Sequence, residues 1–312
     1  MELDASDSDG PLRRIAESVR DSVLLHCNDC HLLVRWPQLS ESDLTDLYSN
    51  LPTKYWDYDV SKVGSWKTAK DVLLKRFDRN QSIQILDVGA FDGSFLQTLP
   101  ETWEKFAIEP SSAASQQLRA SGIPCLAPFV ESLSLHEHAG TFDAITLFDV
   151  FEHLPNPNDT LRRLTNLLRP GGRLLISTGN SDHWSWRLLG ASHWYLHSVQ
   201  HLCVGSQQFF KRWAQNEGVE VEFFQAHPHQ LGGQSIRLRQ SLETIHAWAR
   251  QKNRTRLMGL IHLLPGMKHL VHKTSSPFSN TLHDHGLVVL HRRAIESDPS
   301  TRDEVVRSCS NS

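Results

Sequence analysis

Two glycines and three carboxylates carry the first chemical signal in this 312-residue sequence. The stretch ILDVGAFDGSFL, residues 85–96, puts Gly89 and Gly93 on either side of Ala90, Phe91 and Asp92, with Asp87 two residues before the first glycine and Glu109 twenty residues after it. Glycine lacks a Cβ, so both positions allow a sharp turn and a close approach of backbone to a ligand. A dinucleotide loop of the Gly-x-Gly-x-x-Gly type rests a pyrophosphate on the following helix N-terminus. Here Phe91 stands where the second glycine would be, and Asp92 would repel a diphosphate.

The loop therefore suits a cation better than an anion. S-adenosylmethionine carries ammonium and sulfonium groups and no phosphate, so Asp87 and Asp92 are tolerable or favourable beside it. Glu109 ends the segment KFAIE, where a carboxylate can accept both hydroxyls of a ribose. NAD would use the same group, so Glu109 alone leaves a nicotinamide cofactor open.

These residues need a scaffold of strands and helices. Branched apolar segments alternate with segments of helical period, which predicts an α/β fold with a parallel sheet covered by crossover helices. Strands are expected at 82–88, 105–109, 142–148, 172–177, 219–224 and 286–291. Helices are expected after Ser94, over 111–121 up to Gly122, after Asn158 with Leu161, Leu164, Leu167 and Leu168 on one face, and from an N-cap at Ser206 to Gly218. Residues 230–284 are too long for a hairpin and read as a partly helical insertion. Within them, Arg254 to Lys273 mixes apolar and basic residues, but Pro265 breaks it into two short helices rather than one membrane-lying helix. The expected domains are a disordered N-terminus over 1–22, a leader over 23–80, the cofactor-binding domain over 81–293 and a disordered tail over 294–312.

The segments ILDVGAFDGSFL, FAIEP and FDAITLFDVFEHLPNPNDTLRRLTNLLRPGGRLLISTGN resemble, in order and spacing, the successive motifs of class I S-adenosylmethionine-dependent methyltransferases. The resemblance covers about residues 80–226 and implies a Rossmann-like, seven-stranded fold. It further implies that Asp87, Gly89, Ala90 and Gly93, with Phe91 in place of the usual glycine, surround the methionine part of S-adenosylmethionine. Glu109 would take the ribose, Val130 and Glu131 the adenine, and Phe148 with Asp149 would form the floor. The leader HCNDCHLLVRWPQLSESDLTDLYSNLPTKYWDYD is similar to one that precedes many bacterial enzymes of this type and binds zinc through paired CxxC motifs. Only Cys27 and Cys30 are present here, two ligands where a structural zinc site takes four, so no metal is expected.

If the acceptor is a hydroxyl, its proton must leave as the methyl arrives, and histidine suits that work. His153, in DVFEHL beside the expected floor, and His201, in the His-rich and Trp-rich stretch 183–206 that resembles the family's substrate loop, are the candidate bases. The other histidines of that stretch match no zinc spacing.

Composition narrows the partners. A formal net charge of -3 gives no footprint for nucleic acid, and five scattered cysteines do not form a disulfide framework. No apolar run reaches the roughly 18 residues of a membrane span, and the acidic start lacks the pattern of a secretory signal, so a cytoplasmic protein without membrane contact is expected. The expected function is methyl transfer to a small-molecule or glycan-type acceptor, with O-methylation preferred. An NAD(P)-dependent oxidoreductase and a non-catalytic cofactor-binding protein are the alternatives.

Overall fold

The computed structural model describes residues 22–50 and 63–293. The ends expected to be disordered, and the aromatic pair Tyr55 and Trp56 of the leader, lie outside the described residues apart from residue 22.

Seven strands form the central sheet: β3 (Gln84–Val88), β4 (Glu104–Ile108), β5 (Cys125–Ala127), β6 (Phe142–Phe148), β7 (Leu168–Gly179), β9 (Glu220–His227) and β10 (His285–His291). Their order is β5-β4-β3-β6-β7-β10-β9. The pairs β3–β4, β3–β6, β4–β5 and β6–β7 are parallel, while β10 runs antiparallel to both β7 and β9. The connection from β3 leads outward to β4 on one side, and the chain returns to place β6 on the other. That reversal opens a crevice at the carboxyl ends of β3 and β6, where sheets of this kind bind ligands.

Alternation along each strand divides the core between the two faces of the sheet. Leu86, Val88, Ile145, Leu147, Leu174, Ile176 and Val288 pack with Leu161, Leu164 and Phe209 on one face. Ile85, Ala107, Ala144, Leu175, Leu287 and Val289 pack with Ala69, Leu73, Phe95 and Leu118 on the other. Because both faces are covered, the central strands are almost continuously apolar, as parallel strands usually are.

The helices are α1 (Glu41–Asn50), α2 (Gly64–Arg76), α3 (Ser94–Gln97), α4 (Ser112–Ala120), α5 (Leu135–His138), α6 (Pro157–Leu167), α7 (Trp184–Leu189), α8 (Gln207–Asn216), α9 (Gln234–Gln251) and α10 (Thr255–His262). Ser206 caps α8 as its sequence position suggests, accepting the Phe209 amide at 2.8 Å. Helix α6 starts earlier than expected, because Asn156 caps it and Pro157 supplies the preset φ of a first turn. Pro170, Gly171 and Gly172 lie inside β7, whose pairing with β6 shifts register between Phe142 and Ala144. Between β9 and β10, α9, α10 and a 3-10 turn over Lys268–His272 gather their own small core of Ile261, Met267 and Leu270. The amphipathic stretch is thus two separate pieces. No helix among the described residues is long and apolar enough to cross a membrane.

The leader is stitched to the rest by a second, three-stranded sheet. Strands β1 (Val23–His26) and β2 (Leu33–Trp36) form a hairpin, and β2 pairs with β8 (Cys203–Val204). Arg35, buried in β2, donates to the carbonyls of Leu196 and Ser198, so the hairpin holds down the His-rich loop. Cys27 and Cys30 sit at the hairpin tip, where the Cys30 amide points at the Cys27 sulfur at 3.5 Å.

Candidate active site

A cavity of about 380 Å³ occupies the crevice at the carboxyl ends of β3, β4 and β6. Gly89, Phe91, Glu109, Val130, Glu131, Phe148 and Asp149 line it, together with His153 and with Leu44 and Thr45 of α1. Its described lining holds three carboxylates, Glu109, Glu131 and Asp149, and neither Lys nor Arg. A phosphate would find no countercharge there, whereas a cationic nucleoside would.

Asp87, Ala90 and Gly93, which the resemblance placed around the methionine part, do not line the cavity. Asp87 is buried one residue before the turn and accepts the Thr146 hydroxyl at 2.6 Å. Burial, with the neighbouring Glu109 charge adding to it and the Thr146 bond opposing, pushes its carboxyl up to about 7. Ala90 packs in the core behind the loop. Gly93 begins α3 at φ 77°, and a Cβ there would stand 2.8 Å from Leu118 and 2.9 Å from Ile123. Its small size serves packing, while Gly89, at φ 72°, lets the chain turn against Val150, which a Cβ would approach to 2.4 Å.

Glu109 organises the loop. Its carboxylate accepts the Phe91 amide on one oxygen and the Ser111 amide on the other, each at 2.8 Å. Burial raises its pKa and these two bonds oppose the rise. Each oxygen keeps a lone pair for a ligand hydroxyl. Phe91 holds φ 48° where the family's glycine would be at ease, and the bond to Glu109 helps fix it there.

The two histidines singled out from distant segments meet. The rings of His153 and His201 stand edge to face with centroids 4.9 Å apart. His153 Nδ1 donates to the Gln200 carbonyl at 3.2 Å, and His201 Nδ1 to the Tyr195 carbonyl at 2.5 Å. Burial depresses His153 to about 4 and drives His201 well below the ordinary histidine range. Both rings are neutral at neutral pH. Of the two, His153 reaches the cavity and His201 stands behind it.

The sequence reading passed over the polar network beneath this pair. Glu152 is fully buried and accepts the Tyr195 hydroxyl at 2.5 Å and the Thr178 hydroxyl at 2.8 Å. Burial first, and the Asp149 charge second, push it up to about 8. On the other side of the cavity floor, Asp149 takes φ 55° and faces His229 at 3.5 Å. Burial favours a protonated Asp149, but His229, His285 and His227 outweigh it and hold the carboxylate low. The adjacent Asp284 and His285, just before an apolar strand, are the sequence signal that could have pointed to this cluster.

These features define a class of protein. The profile of the methyltransferase-domain family matches residues 64–222, about half of the chain, and the chain belongs to that family, the class I S-adenosylmethionine-dependent methyltransferases. S-adenosylmethionine is the cofactor. Over 149 residues the chain is 32% identical to a ubiquinone biosynthesis O-methyltransferase of Chromobacterium violaceum, covering 44% of this chain and 62% of that one. Over 120 residues it is 31% identical to the enzyme of the same name from Escherichia coli strain HS, covering 35% of this chain and 49% of that one. The match thus spans about half to three fifths of these relatives. A Galdieria sulphuraria chain proposed to be a sarcosine dimethylglycine methyltransferase superposes with a TM-score of 0.50 at 14% identity, over 80% of this chain and 98% of that one. That likeness concerns the fold.

Proposed function

We propose that this protein transfers the methyl group of S-adenosylmethionine to a hydroxyl of a small organic acceptor. One observation carries the proposal: the cavity at the sheet reversal is lined by Glu109, Glu131 and Asp149 with neither Lys nor Arg in its described lining. The names of the two curated relatives support O-methylation of a small molecule over other acceptors. A glycan hydroxyl is chemically the same acceptor and is included in the test.

In this reading Glu109 holds the ribose, Val130 and Glu131 border the adenine, and Gly89, Phe91, Phe148 and Asp149 shape the space for the methionine part. Asp87, Ala90 and Gly93 support the loop from behind. The cofactor supplies an electrophilic methyl, so the protein has to orient, exclude water and take up a proton. His153 is assigned the proton-accepting role at the cavity wall, and His201 positions it.

Calorimetry with S-adenosylmethionine and NADH in parallel, followed by transfer of labelled methyl to a panel of phenols, vicinal diols and glycans, tests this. S-adenosylmethionine binding and label in a hydroxyl acceptor are expected. NADH binding without a response to S-adenosylmethionine would overturn the reading.

A further inference from the structure

The floor residue Asp149 belongs to a second constellation that methyl transfer does not itself require. Antiparallel β10 begins where parallel β7 ends, so its first residue, His285, lies between Gly179 of β7 and His227 of β9, one strand away from β6. The loop after β9 brings His229 to the same place. One ligand atom each from Asp149, His229 and His285 lie within 4.8 Å of one another.

Their unused atoms are the telling feature. His285 is 1% exposed, its Nδ1 lies 3.0 Å from Asp284 Oδ1, and its Nε2 has no partner. Asp149 Oδ1 and His229 Nδ1 are likewise buried without partners. An ion pair between Asp149 and His229 would account for two of the three groups and leave the His285 Nε2 lone pair unsatisfied. A buried polar atom without a partner is costly, which calls for an occupant.

The surroundings match a metal centre in one further way. Asp284 is itself completely buried, accepts the Trp194 indole N–H at 2.9 Å, and faces the His285 nitrogen opposite Nε2. That is the carboxylate support that metal-bound histidines usually have.

We propose that Asp149, His229 and His285 bind a divalent transition-metal cation at the edge of the cofactor cavity. Two imidazoles and one carboxylate favour a first-row transition ion over magnesium or calcium, and this set leaves coordination positions open. Since Asp149 also lines the cavity, an acceptor hydroxyl could occupy one of them and would be made more acidic by the ion. That consequence rests on the methyl-transfer reading; the binding of the ion does not. The site was not expected from the sequence, where the CxxC pair drew attention instead.

The test uses the full chain, stripped with chelator and titrated with cobalt(II) chloride alone, with visible d–d absorption and bound metal per chain as readouts. One Co(II) per chain with ligand-field bands is expected, and a magnesium salt should not displace it. His285→Ala and His229→Asn should each weaken Co(II) binding at least about tenfold, and Asp284→Asn by about 10–100-fold as the loss of a supporting carboxylate. Melting by circular dichroism checks each variant, and the partly exposed His229 gives an independent variant if His285→Ala does not fold. A double Cys27→Ser, Cys30→Ser variant should bind Co(II) unchanged. Absence of the bands, undiminished binding in folded His229→Asn, or loss of binding in the cysteine variant would each overturn the proposal. S-adenosylhomocysteine calorimetry on the stripped protein reads the cofactor site separately.

Discussion

The carboxylate of Glu109 accepts the amide of Phe91 at 2.8 Å, so the residue proposed to hold the ribose also fixes the glycine loop at the cavity. Removing it takes away a loop support and, in the proposed reading, a ligand contact. Glu109→Ala should weaken S-adenosylhomocysteine binding by about 1.5–3 kcal/mol, the range for hydrogen bonds to a charged group. An unchanged dissociation constant by calorimetry would remove Glu109 from the site.

The two loop glycines should fail differently. Gly93→Ala places its Cβ against Leu118 and Ile123 at positive φ and should lower stability by about 2 kcal/mol, with a smaller effect on cofactor affinity. Gly89→Ala meets Val150, which lines the cavity, and should reduce S-adenosylhomocysteine affinity more than Gly93→Ala does. Urea unfolding beside calorimetry separates the two, and the reverse order of effects would contradict the assignment.

Asp87 should make stability depend on pH. Its folded pKa of about 7 lies above the ordinary 3.8, so the folded state favours the protonated carboxyl. The stabilisation this gives is complete below the unfolded value and is lost as pH rises through about 7. Asp87→Asn keeps an acceptor for Thr146 and removes the charge. The variant should therefore gain stability relative to the parent between pH 4 and pH 8. A constant difference in denaturation midpoint across that window would show that Asp87 does not titrate this way.

For the histidine pair, His153→Ala should lower turnover about a hundredfold with little change in S-adenosylhomocysteine affinity. His201→Ala should lower kcat less, and His201→Gln, which can still donate to the Tyr195 carbonyl, should recover much of the loss. Equal turnover in the parent and His153→Ala would leave proximity alone to account for the reaction.

The sequence by itself determined the parts whose signals are local. The alternation of apolar strands with helices marked the α/β fold, and the glycine turn followed twenty residues later by Glu109 marked one wall of the cavity, because a strand, its turn and the next strand end are close in the chain. The same proximity hid the division of labour within the loop. Asp87 and Gly93 look like ligand contacts in one dimension, yet Thr146, Leu118 and Ile123 claim them, and those partners come from other elements. His153 and His201 could be chosen singly, but only the docking of the loop after β7 against the turn after β6 put their rings 4.9 Å apart. Asp149, His229 and His285 carry no spacing that relates them. They converge because β10 enters the sheet antiparallel and starts where its parallel neighbours stop, and strand direction is fixed by the packing of the whole sheet rather than by any one segment.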